Sequence, residues 1–149
     1  MFLKKIKHYF QREKNASKGF SFLIAIDGSE KSLKGLDVVK MLIKSPNDLI
    51  YTVYISDMNM DIQNEVMAKI DSRVNHLGIK VKNFCLDLQP NERIESKLMN
   101  FANDYESTPF DFLVIGNTGT TAQKLGGINI GKTADFVMRR SLVNLLLIK

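Results

Sequence analysis

From residue 20 onward the chain alternates between two hydrophobic patterns. Largely apolar runs at 20–26, 49–55, 110–115 and 142–148 read as short strands, the first of them buried, and 79–88 reads as a further strand. Between them apolar residues recur at helical spacing. Leu33, Leu36, Val39, Leu42 and Ile43 form a stripe within 30–44, broken by Ser45-Pro46-Asn47-Asp48. Ile62, Val66, Ile70, Val74 and Leu77 form a second stripe, beginning near Asp61 and ending at Gly78, a residue suited to the cap after the last turn. Pro90-Asn91 reads as the start of a third helix, with Ile94, Leu98, Phe101, Ala102 and Tyr105 inward and Thr108-Pro109 at its end. A polar, glycine-rich loop spans 116–131, and a short helix follows over 132–140.

The order is therefore β-α-β-α-β-α-β-α-β. Continuous apolar strands separated by helices indicate a parallel sheet covered on both faces. Right-handed crossovers reduce the topologies to a few. The expectation is an α/β fold with a five-stranded parallel sheet, order 3-2-1-4-5, over residues 19–149.

Charge changes the picture at one end. The net charge is +5, and residues 1–18 carry all of it: Lys4, Lys5, Lys7, Arg12, Lys14 and Lys18 against Glu13. The remaining residues balance, so the basic character belongs to an N-terminal extension and not to a body shaped for nucleic acid. Phe2, Leu3, Ile6, Tyr9 and Phe10 recur in this extension at helical spacing. A basic amphipathic helix can lie on an anionic membrane, which gives residues 1–18 a peripheral membrane reading. The alternative is packing on its own domain or on a partner subunit. With one cysteine, Cys85, and two histidines, an internal disulfide and a cysteine-rich metal site are excluded, and a cytoplasmic protein is expected. Cys85, in an apolar strand, reads as core.

In an open parallel sheet, ligands bind beyond the carboxyl ends of strands where the strand order reverses. The residues there are Asp27-Gly28-Ser29, Ser56-Asp57, Leu88-Gln89 and Gly116-Asn117-Thr118-Gly119. The first and last stand out. One offers a carboxylate and a glycine. The other opens the glycine-rich loop, which ends at Gly131 where Lys132 and Thr133 begin a helix. Glycine allows close backbone approach, and a helix N-terminus favours an anion. A nucleotide or other phosphate ligand fits this pattern; a loop that only closes on the last helix is the alternative. Residues 126–133 also match G-x-x-x-x-G-K-[ST], but the match does not follow directly on a strand, and too little chain remains for the rest of a P-loop core. No Ser–His–Asp or Cys–His arrangement can be argued from the sequence and no evident base positions a water, so at most weak hydrolysis of a bound nucleotide is expected. A phosphoacceptor receiver fits poorly, because Asp27-Gly28 lacks an acidic pair and no helix follows the last strand. An ATP pyrophosphatase loop fails for want of paired glycines.

The stretch Leu23-Ile24-Ala25-Ile26-Asp27-Gly28-Ser29-Glu30-Lys31-Ser32, together with Leu113-Val114-Ile115-Gly116-Asn117-Thr118-Gly119 and the ending Val143-Asn144-Leu145-Leu146-Leu147-Ile148-Lys149, resembles the universal stress protein family over about residues 20–149. The family's nucleotide-binding members carry G-x2-G-x9-G-[ST]. The resemblance implies a stress-response protein that binds ATP or a related adenine nucleotide, with Mg2+ accompanying it. Asp27 would meet the ribose or adenine and Ile55 the adenine. Gly116, Gly119 and Gly131 would meet the phosphates, with Lys132 and Thr133 beside them. Two departures stand out. Eleven residues separate Gly119 from Gly131, and Lys132 occupies the place of a small hydroxyl residue, with Ala134 replacing a second. A dimeric interaction module without nucleotide is the second reading. A homodimer through strand five is expected in either case, because an apolar edge strand invites pairing.

Overall fold

A computed structural model describes residues 19–105, 110–117 and 131–149. Its elements are β1 (Ser21–Ala25), α1 (Glu30–Leu42), β2 (Leu49–Ser56), α2 (Met60–Leu77), β3 (Lys82–Asp87), α3 (Ile94–Asp104), β4 (Phe112–Gly116), α4 (Lys132–Arg140) and β5 (Asn144–Ile148). They form one all-parallel sheet in the order β3-β2-β1-β4-β5, as expected from the sequence.

The sheet has a core on each face. Leu33, Leu36 and Val39 of α1 and Val66 and Ile70 of α2 pack with Phe22, Ile24 and Ile50. Leu98, Met99 and Ala102 of α3 and Val137 of α4 pack on the other face with Leu23, Val53 and Leu113. The alternation of Phe22 and Ile24 against Leu23 is the period-two pleat of a strand buried on both sides. At Gly35 a Cβ would lie 2.8 Å from Ile24 Cγ2, so α1 sits close on the sheet only because no side chain intervenes. Gly78 ends α2 at φ +63, the left-handed cap the sequence calls for.

Three local expectations are corrected. The third helix begins at Ile94, not at Pro90-Asn91. Asn91 adopts φ +63 and Glu92 N donates to Gln89 O, so a turn consumes those residues first. Cys85 is exposed rather than core, because β3 is a sheet edge. Leu42, Ile62 and Ile94, read as inward, are 44–48% exposed; each lies at an end of its helix. The extension over 1–18, the Thr108-Pro109 stop and the loop over 118–130 lie outside the described residues.

Candidate nucleotide site

The chain reverses its direction across the sheet between β1 and β4, which are paired side by side. Above their carboxyl ends lies a cavity of about 400 Å3, a size in the range of small-molecule sites. Its walls come from the segments after β1, β2 and β3, from the end of β4, from α2 and α3, and from the start of α4.

The β1 wall is a hydrogen-bonded turn. Ser29 N donates to Asp27 Oδ1 at 2.9 Å, and Ser32 N donates to Ser29 Oγ at 3.2 Å, capping α1. Ser32 Oγ in turn donates to Ser29 O at 2.8 Å and accepts from Asp27 N at 3.2 Å. Gly28 holds φ +87 between them, and a Cβ there would meet Val66 Cγ2 at 2.8 Å. One oxygen of Asp27 is thus committed to the turn. Among the described residues the other makes no hydrogen bond and remains on an exposed side chain lining the cavity.

The opposite wall is the junction of β4 and α4. Gly131 N donates to Asn117 O at 2.6 Å, and Asn117 N donates to Ile148 O at 2.9 Å. These bonds tie the two ends of the intervening loop together, so Gly116 and Gly131 line the cavity side by side with Lys132, Thr133 and Ala134. Gly131 is the N-cap of α4 and supplies no side-chain acceptor to its first turn. A helix start of this kind presents N–H donors and the positive end of the helix dipole. Lys31 Nζ reaches across to Asn117 Oδ1 at 3.2 Å, linking the starts of the two walls.

The remaining walls are largely apolar: Ile55 from β2, Ile62 from α2, Leu88 after β3, and Ile94 and Leu98 from α3. Tyr54, also on the wall, has its phenol pushed above its ordinary pKa, first by burial and then by the charges of Asp57, Cys85 and Asp27. It is therefore a neutral hydroxyl at physiological pH. The cavity thus joins an apolar slot to a donor-rich, positively charged end.

Six of the seven residues named from the sequence meet here: Asp27, Ile55, Gly116, Gly131, Lys132 and Thr133. Gly119 lies outside the described residues. Ser32, Ile62 and Ile94 were not foreseen as site residues. Ser29, Asp57 and Leu88 were marked only by their places at strand ends.

No family model matches the chain, and no curated protein matches it by sequence. Solved structures do. The protein MJ0577 superposes with TM-score 0.70 at 18% identity, covering 89% of this chain and 96% of its own. A universal stress protein in complex with cAMP gives 0.64 at 20% identity, covering 88% and 97%. The universal stress protein from Archaeoglobus fulgidus in complex with dAMP gives 0.65 at 15% identity, covering 89% and 99%. This is the universal stress protein fold. At these identities the likeness concerns the path of the chain, and it runs through nearly the whole length of the universal stress proteins compared. The structural relationship therefore extends beyond the sheet to the helices that frame the cavity. Among the described residues no helix is long and apolar enough to cross a membrane.

Proposed function

We propose that this chain is a stress-response protein of the universal stress protein type that holds ATP or a related adenine nucleotide in the cavity, without efficient turnover. The observation that carries the reading is the junction of an apolar slot with the uncapped start of α4, both at the switch point of the sheet. In this reading the base lies against Ile55, with Leu88 and Ile94 nearby, and the free oxygen of Asp27 accepts from a ribose hydroxyl or the adenine amino group. Gly116, Gly119 and Gly131 let the phosphates approach the backbone, and Thr133 and the first amides of α4 donate to them. Two structural neighbours of the same fold, described with cAMP and dAMP, support adenine recognition.

Among the described residues no cluster of three or more His, Cys, Asp or Glu could hold a metal ion. In this reading Mg2+ accompanies the phosphates, in keeping with its usual dependence on phosphate oxygens. One oxygen of Asp27 serves the turn through the Ser29 amide, the other serves the nucleotide, and no base is assigned to a water.

Lys132 decides between this reading and a nucleotide-free dimeric module. It lines the cavity on an exposed side chain at the first position of α4. A charge-assisted contact to phosphate is worth about 1.5–3 kcal/mol, and solvent exposure places it near the lower end, roughly tenfold in affinity. Calorimetric titration with ATP should show Lys132→Ala binding about tenfold more weakly, with a shallower salt dependence. Tighter binding by Lys132→Ala would identify the lysine as a plug and favour the interaction module.

A further inference from the structure

We propose that residues 1–18 dock their apolar stripe against the amino end of the sheet, over Met41, Leu42 and Leu49, the end opposite the cavity. Asp48 gathers three segments there. Its Oδ1 accepts from Phe20 N at 2.7 Å, and its Oδ2 accepts from Lys44 N at 2.9 Å and Ser45 N at 3.0 Å. Leu49 N adds a bond to Phe20 O at 2.8 Å. The exit of α1 and the starts of β1 and β2 are therefore drawn to one place. Large apolar side chains stand around it: Met41 is 74% exposed, Leu42 44%, Leu49 46% and Phe20 47%. Single exposed apolar residues are ordinary, but a group at one end of a small domain marks a surface that something covers.

The occupant follows from where the chain enters the domain. Gly19 holds φ +72, and a Cβ on it would fall 2.5 Å from the carbonyl carbon and oxygen of Asn47. The first described residue is thus pressed against the loop between α1 and β2, at the edge of this patch. Residues 1–18 join the domain beside the patch, and they carry Phe2, Leu3, Ile6, Tyr9 and Phe10 at helical spacing. The nine residues from Phe10 to Gly19 can span about 30 Å when extended, ample for the stripe to turn back onto the patch. Being covalently attached, the segment docks without the translational cost a separate partner would meet. The lysines and Arg12 lie mostly off the stripe and keep their charges in water.

The sequence has no tryptophan, so Phe10→Trp in the full-length chain is a single reporter. Docking predicts blue-shifted emission without lipid, unchanged on dilution. With Leu42→Glu and Leu49→Glu added, emission should move to that of solvated indole. Tryptic cleavage at Lys4, Lys5, Lys7, Arg12, Lys14 and Lys18 should accelerate about tenfold, as local protection is lost. If the double substitution fails to fold by circular dichroism, Met41→Glu at the most exposed position serves in its place. Three results would overturn the proposal: emission and cleavage unchanged by the glutamates, emission that shifts only when anionic vesicles are added, or a blue shift that vanishes on dilution, which would assign the stripe to a second copy.

Discussion

Gly28 joins the fold to the candidate site, and replacing it tests whether the turn after β1 is held as tightly as the geometry requires. Gly28→Ala faces two costs. A non-glycine residue at positive φ costs roughly 1–2 kcal/mol. The new Cβ would also stand 2.8 Å from Cγ2 of Val66, a buried branched side chain, and such overpacking costs about 1–3 kcal/mol. Gly78→Ala supplies the control, because Gly78 also has positive φ (+63) but nothing lies within 4 Å of its Cβ position. Both substitutions stiffen the unfolded chain alike, so that contribution cancels between them. In urea denaturation Gly28→Ala should therefore be the more destabilised by about 1–3 kcal/mol. Adding Val66→Ala should recover part of this difference, making the double variant more stable than the sum of the single effects by about 1 kcal/mol or more. Equal losses at Gly28 and Gly78, or additivity within about 0.5 kcal/mol, would show that the turn relaxes and that α2 does not pin it.

Other consequences are open to measurement. Asp111 Oδ2 accepts from Ser21 N at 2.7 Å and from Ser21 Oγ at 3.1 Å in a buried setting, so Asp111→Ala should lower unfolding stability by about 1–3 kcal/mol. The Cys85 thiol is pushed above its ordinary pKa, first by partial desolvation and then by Asp87. Its alkylation by iodoacetamide at pH 8 should be slower than that of a small free thiol despite its exposure, and Asp87→Asn should speed it. On the edge strand β5, Leu146 packs into the core whereas Leu147 is 37% exposed. If β5 pairs with its counterpart in a second copy, sedimentation should give a dimer that Leu147→Lys converts to monomer without unfolding; a monomeric parent chain at micromolar concentration would refute the pairing.

The element order was legible because the central strands β1, β2 and β4 are covered on both faces and so read as largely apolar runs, while each helix carries its stripe. Edge position was not legible. Nothing in Lys82–Asp87 says that β3 has one neighbour, so Cys85 looked like core. Helix ends were hidden for a related reason. Ile62 and Ile94 keep the helical spacing, yet they stand in the first turns of α2 and α3, beyond the sheet, where the stripe becomes the wall of a cavity. The start of α3 was obscured by Asn91, whose positive φ inserts a turn that no hydrophobic spacing announces. At the site, Asp27 and the Gly131-Lys132-Thr133 step were readable because a carboxylate after a strand and a glycine before a helix are local signals. Ser32 was not, because its part depends on the reciprocal bonds to Asp27 and Ser29 that exist only once the turn has closed.

The central claim is that an adenine nucleotide occupies the crevice between Asp27 and the start of α4. A crystal structure of the full-length chain grown with ATP tests it most directly. It should show the base against Ile55, a ribose or adenine group within hydrogen-bonding distance of the Asp27 carboxylate, and phosphates at Gly131, Lys132 and Thr133. A crevice without nucleotide at saturating ATP, with Lys132 folded into it, would contradict the account.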